Sequence, residues 1–179
     1  MTSINKRTFQ ALVSILVFSL NAGSALADTV IHYPTDQETL FTVNVPDDWE
    51  LTPAEADDDF FLVTGPTEVE MWFRAEVVDS KEAVDAFIDG AMESGGEWLD
   101  ENYKEVEFGE VTEGERDGMP FVSIPGTGIY KETGDKVIFT IAFIFMKNGS
   151  AAEFWGILPV GDEKGKAVAQ SILDSFQAK

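Results

Sequence analysis

Between Val137 and Met146 the chain reads VIFTIAFIFM, nine apolar side chains and a single threonine. A strand with one wet face alternates apolar and polar residues, and this one barely alternates. Near-continuous hydrophobicity in an antiparallel setting requires cover on both faces. The setting is antiparallel because hairpin signals bracket the run. Thr133-Gly134-Asp135 precedes it and Lys147-Asn148-Gly149 follows it, each a short polar turn carrying the glycine that tight hairpins need. The neighbours across those turns are the strand patterns Gly128–Lys131 and Ala151–Leu158. Any fold for this chain must place a central strand between two covering layers.

The remaining periodicity supplies that sheet and its cover. Leu40–Val45 alternates, with Phe41, Val43 and Val45 on one face, and stops at Pro46-Asp47-Asp48. Phe60–Thr64 is a second short strand, closed by Gly65-Pro66. Val69–Val78 is a third, with Val69, Met71, Phe73, Ala75 and Val77 facing one way. Further strands are expected at Val106–Val111 and Phe121–Ile124. Asp79 as N-cap with Glu82 three residues on marks a helix start. Val84, Phe87, Ile88, Ala91 and Met92 follow at helical spacing, and the helix is expected to run out at Gly95-Gly96. A closing helix starts near Asp162 and buries Ala169, Ile172, Leu173 and Phe176. The fold class is α+β, a central antiparallel sheet flanked by helices. Trp49, after its Pro-Asp-Asp turn, is expected to close one end of the core.

At the N-terminus Lys6 and Arg7 precede an apolar run from Ala11 to Leu20, and small residues lead to Ala25-Leu26-Ala27. A basic start, a short apolar run and an A-x-A end form a secretory signal, too short for a spanning helix. Cleavage is expected between Ala27 and Asp28, leaving residues 28–179 as one domain in the periplasm or secreted. The competing reading is a retained N-terminal anchor. The chain has no cysteine, hence neither a lipid-bearing Cys nor a disulfide, and burial alone holds the domain.

Charge narrows the partners. Residues 28–117 carry 27 acidic and 4 basic side chains, whereas residues 118–179 carry 6 of each. Such an acidic half repels phosphate backbones and anionic headgroups, so neither nucleic acid nor a membrane surface is an expected partner. A basic partner, a cation or plain solubility remains.

Motifs for chemistry are few. Asp57, Asp58 and Asp59 stand directly before an apolar run, and a calcium loop begun at Asp57 finds oxygen ligands at Asp59 and Glu68. It fails at Phe61 and Leu62, where a ligand and a glycine belong. Within a strand Asp57 and Asp59 share a face and Asp58 turns away. They are weak candidates for a divalent cation, and a solvated turn is the preferred reading. His32 is the sole histidine, which removes multi-histidine zinc sites, and the lack of cysteine removes thiol catalysis. Gly126 and Gly128 lack the third glycine of a dinucleotide loop, and Gly134 lacks the Lys-Ser/Thr of a P-loop. The 33 acidic residues always include some pair at a glycosidase separation, so that pattern carries no information. No catalytic residue and no cofactor is assigned. One aromatic feature stands out. Trp72 lies on the strand face opposite Met71 and Phe73, interleaved with Glu70, Arg74 and Glu76. Trp72 and Arg74 are therefore candidate binding residues. The competing reading packs a helix over Trp72 and sends Arg74 and Glu76 to the rim.

Several stretches together resemble a known family. FTVNVPDDWEL, a strand ending in a Pro and Trp turn, is similar to the start of PsbP-like domains, a group that includes DcrB-type exported proteins of bacteria. VEMWFRAEVVD followed by a helix, then GMPFVSI, FMKNGSAAEFWGI and a terminal helix ending ILDSF, fall in the same order, from about Phe41 to Phe176. The matched positions Phe41, Pro46, Trp49, Gly149 and Phe176 are structural, so no functional residue carries over. The resemblance implies an α/β/α sandwich with a non-catalytic accessory or binding role. Photosystem members resemble cofactor-retention proteins, and a nuclear-transport relative binds a small GTPase. An exported, non-catalytic binding protein with an unknown protein or small-molecule partner is the expectation. The alternatives are a carboxylate-dependent hydrolase and a weak divalent-cation-binding protein that uses the acidic half.

Overall fold

The computed structural model describes residues 28–52 and 60–179. The signal, its cleavage point and Asp57–Asp59 lie outside the described residues. The elements run β1 (Asp28–Tyr33), β2 (Phe41–Pro46), β3 (Glu50–Thr52), β4 (Phe61–Thr64), β5 (Glu70–Val77), α1 (Lys81–Asn102), β6 (Tyr103–Phe108), β7 (Thr112–Arg116), β8 (Met119–Tyr130), β9 (Lys136–Phe145), β10 (Ser150–Pro159), α2 (Glu163–Asp174) and β11 (Gln177–Ala178). Among the described residues eight strands form one antiparallel sheet in the order β3-β4-β5-β10-β9-β8-β6, with β7 also on β8, and β1-β2-β11 form a second, smaller sheet.

The apolar run is β9, and both its faces are covered as its pattern requires. Phe139, Ile141 and Phe143 face one core with Phe87, Ala91 and Leu99 of α1. Ile144 and Met146 face the other with Phe41, Val43, Ile172 and Phe176, supplied by the small sheet and the α2 end of the chain. The second cover is thus a helix together with three strands. β1 was not foreseen, and it binds β2 edge to edge from Asp28↔Pro46 to Tyr33↔Phe41. Exposed polar residues dominate its pattern, so its alternation carries little signal. His32 is exposed on this strand, and its Nδ1 lies 3.3 Å from the Thr39 hydroxyl.

Four regions differ from expectation for identifiable reasons. The N-cap of α1 is Ser80, whose side chain accepts from the Ala83 amide at 3.1 Å, one residue after Asp79. The helix does not stop at Gly95-Gly96 but continues to Asn102. Gly95 is there for contact: a Cβ on it would lie 2.1 Å from the Trp155 ring. Packing of α1 on the sheet outweighs the roughly 1 kcal/mol that a helical glycine costs relative to alanine. Second, β8 is continuous across Pro125, where the sequence suggested two strands. Pro125 oxygen accepts from Gly109 N–H at 2.7 Å, so its missing N–H would point the same way. That side is the gap between β6, which ends at Phe108 opposite Gly126, and β7, which begins at Thr112 opposite Ser123. A proline is tolerated where no ladder bond is lost. Third, the acidic stretch holds two short strands, β6 and β7, rather than one at Val106–Val111. Fourth, Val77 was expected inside but is 69% exposed; it pairs with Ser150, at the hairpin end of the sheet.

Trp49 is buried in the core on the α2 side, its ring so close to Gly65 that a Cβ there would lie 2.7 Å away. At α2, Asp162 caps the first turn by accepting from Gly165 N–H at 2.9 Å. The Thr67 hydroxyl and the Gly165 amide hold its carboxyl below the usual carboxylate range. Ala169 and Ile172 are buried as expected, Leu173 is half-buried, and Phe176 is buried just beyond the helix.

Candidate functional site

Strand pairing brings the candidate residues together. β5 and β10 are antiparallel neighbours, with Trp72 opposite Trp155 and Arg74 opposite Glu153. Directly opposed residues on one sheet face lie within side-chain reach. All four point toward α1, because Met71, Phe73 and Phe154 take the alternate positions into the other core.

Glu153 is buried, with 1% of its surface exposed. A carboxylate at that depth needs partners for its charge and lone pairs. Arg74 Nε donates to Glu153 Oε2, and Trp155 Nε1 donates to Oε1 at 2.6 Å. The guanidinium is itself held by rings, with its carbon 4.9 Å from the centre of Phe60 and 5.1 Å from that of Phe87. Nη1 also lies 3.5 Å from Glu76. Arg74 therefore does not reach the rim. It is turned inward, neutralising Glu153.

Above this pair the helix does not fill the space. Phe60, Trp72, Ser94, Gly95, Trp98, Glu153 and Trp155 enclose a cavity of about 260 Å³. Gly95 lets the backbone of α1 pass close to Trp155, and the neighbouring turn carries Ser94 and Trp98. Ser94 is exposed, so the cavity reaches solvent along the helix. Its hydroxyl donates to the Gly90 carbonyl at 2.9 Å. Helix packing over Trp72 and a cavity beside it are thus both present: Trp72 is half-buried and meets Trp98 edge-on at 5.4 Å.

From Trp98 the aromatic contacts continue to Tyr103 at 5.5 Å and then to Tyr130 at 5.4 Å. Burial, with help from Glu70 and Tyr130, pushes the Tyr103 hydroxyl up to about 12. Burial, and then Glu68, raises the Glu70 carboxyl above the usual range. This end of the α1 face disfavours negative charge.

Asp57 and Asp59 lie outside the described residues, immediately before Phe60 of the cavity wall. Among the described residues no group of three or more His, Asp or Glu side chains is gathered to hold a metal ion. The site residues not foreseen are Glu153, Trp155, Trp98, Ser94, Gly95 and Phe60. A signal for two of them was present. Glu153 is the one charged residue within Ala151–Leu158, two positions before a tryptophan. A lone acid in a buried strand demands a base, and Arg74 is one of only 4 bases in residues 28–117.

A long helix on one face of an antiparallel sheet, with a shorter helix and a small sheet on the other, defines the class as PsbP-like α+β. No family description matches the sequence, and no curated protein matches it. The likeness is found among solved structures. The chain is similar to cyanobacterial PsbP (CyanoP) of Synechocystis sp. PCC 6803, at 8% identity over 91% of this chain and 99% of that one, with a TM-score of 0.60. It is also similar to the Ran-binding protein Mog1p of Saccharomyces cerevisiae, at 13% identity over 86% of this chain and 96% of that one, with a TM-score of 0.52. The expected resemblance therefore holds for the fold. Among the described residues no helix is long and apolar enough to cross a membrane.

Proposed function

We propose that the chain is an exported, non-catalytic accessory or binding protein, released by cleavage between Ala27 and Asp28, whose ligand enters the aromatic cavity beside Trp72. The observation that carries this reading is the state of Glu153. Both its oxygens are engaged, one by Arg74 and one by Trp155, and among the described residues it is the only carboxylate lining the cavity. Glycoside hydrolysis in its usual form needs two carboxyl groups flanking the bond, one of them free to move a proton. A single carboxylate already neutralised by a cation is poorly suited to that work and well suited to orienting a bound group.

The cavity's size sets the kind of ligand. About 260 Å³ falls just under the roughly 300–1,000 Å³ of pockets for drug-sized molecules. A small molecule fits, or one side chain of a protein partner, and the Ran-binding protein of similar fold is a reason to keep the second in view. Arg74 supports the wall: held between two rings, it fixes Phe60 and Glu153 where the ligand meets them.

Two measurements test the reading. N-terminal sequencing of protein recovered from its native host is expected to begin at Asp28, and a retained Met1 or Thr2 would sink the export half. A panel of chromogenic esters and glycosides is expected to show no turnover. Turnover that Glu153→Gln abolishes would replace the binding role with the hydrolase.

A further inference from the structure

We propose that the cavity is a cage for a small organic cation of the quaternary-ammonium type. This inference rests on the reading of the same cavity as a ligand site and adds the chemistry of the ligand. Four of its seven lining residues are Phe60, Trp72, Trp98 and Trp155. Ring faces carry the negative part of the aromatic quadrupole, and cages of such rings are a recognised way to hold methylated ammonium groups. The same wall already holds a cation, since the Arg74 guanidinium lies 4.9 Å from the centre of the Phe60 ring.

Charge selects a cation over a neutral guest. The Arg74–Glu153 pair is neutral as a unit, so the surrounding field decides. The exposed face of α1 carries Asp85, Asp89, Glu93, Glu97 and Glu101, each four residues from the next. Ser94 and Trp98 sit among the last three of these on the same helix. A carboxylate stripe beside a low-dielectric opening focuses negative potential and raises the local concentration of cations.

Hydrogen bonding selects a methylated nitrogen over a bare ammonium or a metal ion. An ammonium carries three donors and a divalent cation seeks several oxygens. Among the described residues the lining side chains offer as acceptors only the Ser94 hydroxyl and Glu153, whose oxygens already accept from Arg74 and Trp155. A trimethylammonium head needs no acceptor, and its methyl groups suit the apolar wall.

The test is calorimetric titration of the protein with choline and, separately, with its neutral isostere 3,3-dimethylbutan-1-ol. Choline is expected to bind at least about ten-fold more tightly, a difference of about 1.4 kcal/mol. Trp98→Leu is expected to lose that preference while keeping its far-UV circular dichroism. Gly95→Ala, which drives a methyl group into Trp155, is expected to weaken choline binding as well. Equal affinity for the isostere would overturn the cation inference and leave the ligand-site reading standing. Failure of choline to bind the wild-type protein would overturn it too, whereas the ligand-site reading fails on different grounds, by Glu153-dependent turnover.

Discussion

The two faces of the large sheet are built to different rules. On the α2 side the core of described residues is closed around an aromatic centre: Phe41 stacks between Tyr33 and Phe176, each at 5.0 Å, and Phe73 contacts Phe61 at 4.9 Å and Phe154 at 5.2 Å. On the α1 side the same strands β5 and β10 present an ion pair, two tryptophans and, under Trp98 of α1, an unfilled space. A sheet whose only task was stability would have no use for a buried Glu153, since apolar residues of similar size hold a core at least as well. The difference fits the proposed ligand site. The α2 face holds the fold, and the α1 face gives up packing for a shaped, polar-floored cavity.

The sharpest way to break that division is to remove the charge. Glu153→Ala leaves Arg74 without its buried partner and is expected to cost about 3–5 kcal/mol in a urea melt. Phe41→Ala, on the closed face, is expected to cost a similar amount, about 3–5 kcal/mol, through the cavity it leaves. The double variant Arg74→Met, Glu153→Leu separates the two faces. It is expected to recover most of the lost stability and to lose choline binding. Recovery of both would show that the pair has no part in the site.

The tryptophans sharpen the contrast at smaller amplitude. Trp49, buried on the closed side, is expected to cost about 3–5 kcal/mol on truncation to alanine. Trp72, half-buried beside existing empty space, is expected to cost only about 2 kcal/mol, because part of its surface packs against nothing. Chemical denaturation of both variants checks the order. A reversed order would place the structural tryptophan on the cavity side.

High pH tests the α1 face through Tyr103. Tyr103 has its pKa raised from 10.0 to about 12 by burial first and then by Glu70 and Tyr130. Its neutral form is favoured in the folded chain, so this contribution is complete below pH 10 and is lost as pH rises toward 12. In that window the unfolded chain ionises Tyr103 while the folded chain resists. Stability is expected to fall across it, and Tyr103→Phe is expected to flatten the fall. An unchanged pH profile in the variant would mean that the loss comes from elsewhere.

How far the sequence reaches follows the same divide. The closed face was legible, because β2, β5, β9 and β10 carry clear apolar patterns and Asp162 opens α2 where a cap residue should stand. Trp72 and Arg74 were legible as oddities of β5. Their true partners were not, since the Arg74–Glu153 pairing spans 79 residues and no local pattern encodes it. Gly95 misled for the same reason: a glycine selected for close approach looks, in one dimension, like a helix terminator. β1, β3, β7 and β11 are short or polar edge strands whose existence depends on a neighbour to pair with.

The smallest expected effect concerns the acidic stripe of α1. Asp85, Asp89, Glu93, Glu97 and Glu101 make four successive like-charge contacts at a spacing of four, each destabilising by about 0.2–0.5 kcal/mol. Asp100 and Glu101 also lie at the negative end of the helix dipole, with no base in the last turn. Lys131 offsets part of this by donating to the Asp100 and Glu101 carbonyls. Raising ionic strength from 0.15 M to 1 M shortens the screening length from about 8 Å to about 3 Å. Thermal melts across NaCl concentrations are therefore expected to rise, with most of the gain below roughly 0.5 M. Glu93→Gln with Glu97→Gln is expected to reduce that dependence, since it removes the charges that salt would screen. It should also weaken choline binding at low salt, because the stripe that costs α1 stability is the one that draws a cation to the cavity. Micromolar calcium at constant ionic strength is expected to add nothing. A calcium-specific rise abolished by Asp57→Asn and Asp59→Asn would move the cation site to those residues and away from the rings.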